Sequence, residues 1–353
     1  MARKRELGPE HAIFVTDKAR PARAQALVRA FGVANHRSEG LSHARSPMSA
    51  NDRRAHITNT TSAPPPKAPF PVPMIATQQQ NPAMSRSYLL AVEDTAFLLR
   101  DEMRAIRFAL EYAKAELALR DWGIRSTIIV FGGARVPSPE QAAAAARTAR
   151  GAVERQTAER LQVQSKYYEV AREFGRVASQ MGGAVGSGRG RHDNVIATGG
   201  GLGIMEAANR GAFEAGAPSI GFNIALPQEQ QPNAYITPEL SFQFHYFAMR
   251  KMHLAMRAAA LAIFPGGFGT LDELFELLTL QQTRKAPPAP IVLFGKAYWR
   301  KLVDFEMLAE EGMISPADLQ LFEFAESAEE GWASLARRGL RTHSSLVEAE
   351  STD

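Results

Sequence analysis

The chain has 353 residues, 45% of them apolar and 22% charged, with no Cys and a formal net charge of +4. That length and apolar content support one or two hydrophobic cores without covalent staples, and the missing Cys excludes disulfides, thiolate nucleophiles and Cys-based zinc sites, which fits a reducing, cytoplasmic compartment. Residues 1–83 carry 12 Lys and Arg against 5 Asp and Glu, whereas the remainder carries 29 against 32, so the body is mildly acidic and lacks the clustered cations of a nucleic-acid-binding fold.

No run approaches 18 uninterrupted apolar residues, so neither a membrane span nor a membrane partner is expected. The opening MARKRELGPEHAIFV has no apolar segment long enough for a secretory signal. Ten of the 21 prolines fall before Met84, including Pro64, Pro65, Pro66, Pro69, Pro71 and Pro73. Residues 1–84 therefore read as a basic, Pro-rich disordered extension with at most a weak helix at Ala22–Phe31, because such a composition buries too little apolar surface to offset ordering. Met84 is an alternative translation start, and a targeting or nucleic-acid arm is the other reading of the extension.

From Tyr88 the apolar residues Leu89, Leu90, Phe97, Leu98, Met103, Ile106 and Leu110 recur at helical spacing and predict an amphipathic helix reaching Asp121. Ser126–Phe131 is a β-branched run ending at Gly132-Gly133, the pattern of a buried parallel strand. Ser138-Pro139-Glu140 supplies an N-cap, a proline at the first helical position and a first-turn acid. An Ala-rich helical region follows, broken near Gly151 and ending around Gly182-Gly183.

The same order then repeats. Val195–Thr198 leads into Gly199-Gly200-Gly201-Leu202-Gly203 and a helix over 204–214; Ser219–Ile224 is another strand; Ala259–Phe264 leads into Pro265-Gly266-Gly267-Phe268-Gly269-Thr270 and a helix over 271–280. Ile291–Phe294 is a last strand, and Ser315-Pro316 opens a terminal helix group. Strand, glycine turn and helix in repetition predict an α/β fold, a doubly wound Rossmann-like parallel sheet with helices on both faces. A single domain over 85–340 accounts for it, with 341–353 as a flexible tail.

Glycine turns between strand and helix collect at the carboxyl edge of such a sheet, where backbone N–H groups and a helix N-terminus attract phosphate. Taken alone, the Gly199–Gly203 turn also serves plain strand–helix packing. It is not a dinucleotide fingerprint, because Ile204 stands where the third glycine belongs, and Asn223 occupies the neighbourhood of the expected ribose-binding acid. A P-loop is excluded as well, since Gly295-Lys296 is preceded by Pro290 at the first-glycine position and followed by Ala297. The His residues of the body show no metal-ligand spacing, and His245 and His253 read as packing or surface residues; neither a metal nor a cofactor is expected.

Individually, Asp272 and Glu273 serve as helix-dipole partners and Arg250 and Lys251 as surface charges. As a set they say more. Pro265-Gly-Gly-Phe-Gly-Thr-Leu-Asp-Glu273, preceded by Arg250-Lys251, matches the pattern P-G-G-x-G-T-x-x-E with an upstream Arg-Lys pair, and this stretch resembles the Lonely Guy family, the cytokinin-activating phosphoribohydrolases long mislabelled as lysine decarboxylases. The resemblance extends over most of 125–335, with Leu202 as a departure where relatives often carry proline, and the longer helical regions resemble the larger bacterial branch.

The resemblance implies hydrolysis of the N-glycosidic bond of a nucleoside 5′-monophosphate, with Glu273 and Arg250 as catalytic residues. It implies a 5′-phosphate held by Gly266, Gly267, Gly269 and Thr270, with Lys251 or Arg135 adding charge. Gly199, Gly200 and Gly201 would form the opposite wall, and Glu229 a further contact. It also implies a homodimer or larger homo-oligomer. The competing reading is a non-catalytic carrier of a nucleotide or phosphorylated cofactor, which needs the phosphate cradle but not Arg250 and Glu273 together.

Overall fold

The computed structural model describes residues 81–186, 190–226 and 231–341. The expectations for the basic extension, the helix at Ala22–Phe31, Glu229 and the C-terminal tail lie outside the described residues, apart from the few positions 81–84 and 341. The described residues fall into two compact units, one up to Met103 and the other from Arg104 onward.

In the first unit, Asn81–Met103 forms short turns and a one-turn helix, Thr95–Leu98. The expected continuous helix from Tyr88 is therefore corrected: the long helix α1 spans Arg104–Asp121. Local side-chain bonds compete with helix over the earlier residues. Asp94 accepts the Phe97 N–H at 3.0 Å and the Arg86 guanidinium at 2.8 Å, and Ser85 accepts the Ser87 N–H.

The second unit follows α1 with β1 Thr127–Phe131, α2 Pro139–Thr148, α3 Ala152–Gly182, β2 Val195–Thr198, α4 Ile204–Glu214, β3 Ser219–Ile224, β4 Ser241–Phe244 and α5 Phe247–Met256. It continues with β5 Ala258–Ile263, α6 Phe268–Gln282, β6 Ile291–Phe294, α7 Lys296–Leu302, α8 Phe305–Glu310, β7 Phe322–Ala325 and α9 Ala328–Arg337. The predicted terminal helix group thus contains an extra strand, and β4 had no counterpart in the sequence reading. The Ser138 cap forms as expected: its hydroxyl accepts the Gln141 N–H while the Gln141 side chain accepts the Ser138 N–H.

All pairings in the seven-stranded sheet are parallel, in the order β4-β3-β2-β1-β5-β6-β7. Successive strand residues face opposite sides, so Ile128 and Val130 pack in one apolar layer and Ile129 and Phe131 in the other. The first layer is closed by α3, α4 and α9 through Phe174, Ala207 and Trp332; the second is closed by α1, α5, α6 and α7 through Leu119, Leu254, Leu274 and Trp299. Helices cover both faces, which makes the fold doubly wound. Each large side chain buried in this way contributes about 1.5–3 kcal/mol. Strand order reverses at β1, flanked by β2 on one side and β5 on the other, and a crevice at that reversal is where doubly wound sheets bind ligands.

Candidate functional site

One residue links the two glycine turns at this reversal. Gly133, just beyond β1, donates its N–H to the Pro265 carbonyl at 2.9 Å and accepts the Ile204 N–H at 3.3 Å. The turn after β2 and the turn after β5 are therefore held to opposite sides of the same short loop.

The turn after β2 is fixed by a buried amide network. Thr198 Oγ1 accepts the Gly200 N–H at 2.9 Å and donates to Asn209 Oδ1 at 2.8 Å. Asn233 donates its side-chain N–H groups to Asn209 Oδ1 at 3.0 Å and to the Gly201 carbonyl at 3.0 Å, while its backbone N–H reaches the Gly200 carbonyl at 3.0 Å. This network supplies the rigidity that Leu202, exposed here, does not supply as a proline would. Gly203 sits at φ +67°, and a Cβ there would lie 2.4 Å from the Gly133 carbonyl oxygen; at Gly200 it would lie 2.2 Å from Asn223 Oδ1. Gly200 and Gly203 are thus required by the protein's own packing. Asn233 carried no local signal for this role in the sequence, since its partners in the network lie 24 to 33 residues away.

The turn after β5 differs. Around Gly267 and Gly269 a Cβ would meet nothing within 4 Å, and both glycines are exposed. Gly267 caps α6, its carbonyl accepting the N–H groups of Thr270 and Leu271, both at 3.0 Å. The first amides of α6, on Phe268 and Gly269, have no acceptor among the described residues, the ordinary condition of a helix start and one that favours an anion. Thr270, expected as a backbone donor to phosphate, spends its N–H on Gly267 and packs its hydroxyl side against Gly266.

Arg250 on α5 and Glu273 on α6 meet as an ion pair, Nη2 to Oε1 at 2.8 Å, with their side chains 13% and 3% exposed. The guanidinium also lies over the Phe247 ring, 5.4 Å from its centroid, and its Nε is buried without an acceptor. Burial pushes the Glu273 carboxyl above the usual carboxylate range, against the charges of Arg250 and Lys251 and the hydrogen bond from Arg250. The enclosure outweighs the ion pair because at 3% exposure almost no water remains to solvate the anion.

Lys251 is engaged otherwise than the sequence suggests. Its Nζ lies 2.7 Å from Asp272 Oδ2 and 2.6 Å from Glu276 Oε2, so two carboxylates already neutralise it. Burial works to lower its pKa, but the bonds to Asp272 and Glu276 outweigh that and raise it. Arg135 is exposed on the loop after β1. A tyrosine not singled out in the sequence, Tyr298 on α7, donates its hydroxyl to the Gly266 carbonyl at 2.6 Å. His253 is a core residue, stacked on Tyr112 and set beside Phe222 and Phe244. Among the described residues no group of three or more His, Asp and Glu is placed to hold a metal ion, and no helix is long and apolar enough to cross a membrane.

Part of the chain is similar to known proteins. Residues 205–335, which include α5, the Pro265–Thr270 turn and α6, match the family model described as possible lysine decarboxylase. The chain is 31% identical over 144 residues to cytokinin riboside 5′-monophosphate phosphoribohydrolase LOG1 of Arabidopsis thaliana, covering 40% of this chain and 66% of that one. It is 27% identical over 145 residues to a probable cytokinin riboside 5′-monophosphate phosphoribohydrolase, LOGL3, of Oryza sativa subsp. japonica, covering 39% of this chain and 65% of that one. The matched region therefore spans just under two thirds of the length of these relatives. Among solved structures, the molybdenum cofactor binding protein from Rippkaea orientalis is 19% identical, with 60% of this chain and 97% of that chain covered and a TM-score of 0.35. The glycine turn, the Arg-Lys pair and the helix-borne glutamate all lie inside the region that is similar to the possible lysine decarboxylase family model, and the chain is similar in part to the cytokinin riboside 5′-monophosphate phosphoribohydrolases named above.

Proposed function

We propose that the protein hydrolyses the N-glycosidic bond of a nucleoside 5′-monophosphate to free base and ribose 5-phosphate. The observation that carries this reading is the enclosed Arg250–Glu273 pair, whose glutamate is borne by the same helix α6 whose open N-terminus offers unclaimed amides. In the reaction the bond from C1′ to the base nitrogen breaks, the water oxygen bonds to C1′, one of the water's protons ends on the departing base and the other stays on the new C1′ hydroxyl. The transition state carries positive charge on the ribose, and the ionised Glu273 opposes that charge or accepts the proton of the attacking water.

A carboxyl held above its usual range is the better base near neutrality, which is the use burial gives Glu273. The amides of Gly267, Phe268 and Gly269 receive the 5′-phosphate, with Gly266 and Thr270 shaping the cradle and Arg135 as a further cation. Arg250 holds Glu273 and offers its planar fork to a ribose hydroxyl or the phosphate. Lys251 acts on the site through Asp272 and Glu276. Gly199, Gly200 and Gly201 form the opposite wall.

The protein acts in the cytoplasm as a homodimer through the outer face of α6. There Phe268, 92% exposed, and the partly exposed Phe275 line one groove with Leu271, beside Lys251, Lys285, Asp272 and Glu276, charges of both signs suited to a second copy. The test of the activity is incubation with AMP, isopentenyladenosine monophosphate, GMP, CMP and UMP, following released base by chromatography. Release from at least one nucleotide is expected; binding without release from any would make the protein a carrier.

A further inference from the structure

Three successive carbonyls at the mouth of the α6 turn are all occupied. The Pro265 carbonyl accepts from Gly133 N–H at 2.9 Å, the Gly266 carbonyl accepts from Tyr298 Oη at 2.6 Å, and the Gly267 carbonyl accepts from the Thr270 and Leu271 amides at 3.0 Å. In a trans peptide the C=O and N–H point in opposite directions, so fixing each carbonyl also aims the following amide. The amides so aimed belong to Gly266, Gly267 and Phe268, and none has an acceptor among the described residues.

Of the three latches, the first and third are backbone to backbone and follow from the fold itself. The middle one alone depends on a side chain, and it guards the weakest peptide. Glycine stands on both sides of the Gly266–Gly267 bond, and without a Cβ on either side such a unit rotates more readily than any other. Loss of the hydroxyl would free the unit to turn and withdraw the Gly267 amide from the open side.

Tyr298 is built to prevent that. It comes from α7, 32 residues beyond Gly266, and β6, which leads into α7, pairs with β5, which leads into the turn. Its ring is half-buried and meets the buried Trp299 edge to face with centroids 5.4 Å apart, while the indole of Trp299 donates to the Phe294 carbonyl at 2.9 Å. The phenol is thus held by packing that owes nothing to a ligand.

We propose that Tyr298 is a positioning residue for anion binding, a latch that keeps the Gly267 amide directed at a phosphate monoester; this rests on the reading of the α6 turn as the 5′-phosphate site. The test compares wild type with Tyr298→Phe, using the nucleotide that wild type turns over fastest, inorganic phosphate as a competitor, and the matching nucleoside as a phosphate-free competitor. KM for the nucleotide and the inhibition constant for phosphate should rise together by about tenfold, the effect of one hydrogen bond. Over the same comparison kcat should stay within about threefold and the nucleoside constant should not move.

Tyr298→His, which returns a ring N–H donor, should recover part of the loss. Should both variants unfold, hydrogen exchange on wild type decides: phosphate must slow exchange in a peptide covering 265–270. Phosphate and nucleotide constants equal to those of wild type in a folded Tyr298→Phe would overturn the latch while leaving the hydrolase reading in place; unchanged exchange on adding phosphate would overturn the latch together with the docking of the phosphate at the α6 turn. A wild type that neither binds phosphate nor turns over any nucleotide would overturn both.

Discussion

Arg250 Nη2 donates to Glu273 Oε1 at 2.8 Å across 23 residues of sequence, and the carboxylate is the more deeply enclosed of the two. Because the guanidinium is what opposes burial, removing it leaves burial to act with less resistance on the carboxyl. Arg250→Met should therefore lower kcat/KM by about 10²–10⁴-fold and move the acid limb of the remaining activity to higher pH. A pH–rate series on the variant checks this; an unmoved or lowered limb would show that Arg250 does not govern the ionisation of Glu273.

In wild type the same sign sets the pH dependence. The Glu273 carboxyl is raised above its ordinary value of 4.5, first by burial, and activity needs the ionised form. Activity should therefore be lost as pH falls through the raised value, at a pH above that of an exposed glutamate. Initial rates between pH 4 and pH 8 give the limb directly, with folding followed in parallel by circular dichroism.

The two glycine turns should respond oppositely to alanine. Gly203→Ala puts a Cβ at positive φ and 2.4 Å from the Gly133 carbonyl oxygen, so the cost falls on stability, by about 1–3 kcal/mol. Gly267→Ala meets open space at φ −92° and should melt close to wild type, yet weaken nucleotide binding by filling the face of the turn that an anion approaches. Thermal melts and KM values for the two variants distinguish structural from binding glycine.

Much of this organisation is legible in the sequence, and the gaps have physical causes. β1, β2, β3 and β6 stand out because an interior parallel strand buries both faces and is written as a continuous apolar run. β4 (SFQF) and β7 (FEFA) are the two edge strands, four residues each and only partly buried, so their polar positions hide them. The motif singled out Arg250 and Glu273, though not their ion pair. Its neighbours were not: Lys251 with Asp272 and Glu276, Asn233 with Gly200 and Gly201, and Tyr298 with Gly266 are contacts between separate segments, which no local spacing encodes.

The histidine on α5 predicts an acid sensitivity of the fold. Burial first, and then the charge of Arg257, holds the His253 pKa down at about 4 against 6.5 in the unfolded chain, with Glu116 opposing. The unfolded state thus binds the extra proton first, so stability is full above pH 6.5 and is lost progressively as pH falls toward 4, by about 3 kcal/mol in all. His253→Phe, which keeps an aromatic ring among Tyr112, Phe222 and Phe244, should flatten the pH dependence of the melting temperature across that window. An unchanged slope would place the acid sensitivity elsewhere.

The central claim is that Glu273 performs glycosidic hydrolysis on a nucleotide docked at the start of its own helix. Its most direct test is a single-turnover assay of wild type beside Glu273→Gln, with nucleotide binding measured on both by calorimetry. Base release should fall by about 10²–10⁴-fold in the variant while nucleotide affinity stays within a few-fold of wild type. Equal base release from the two proteins would contradict the account.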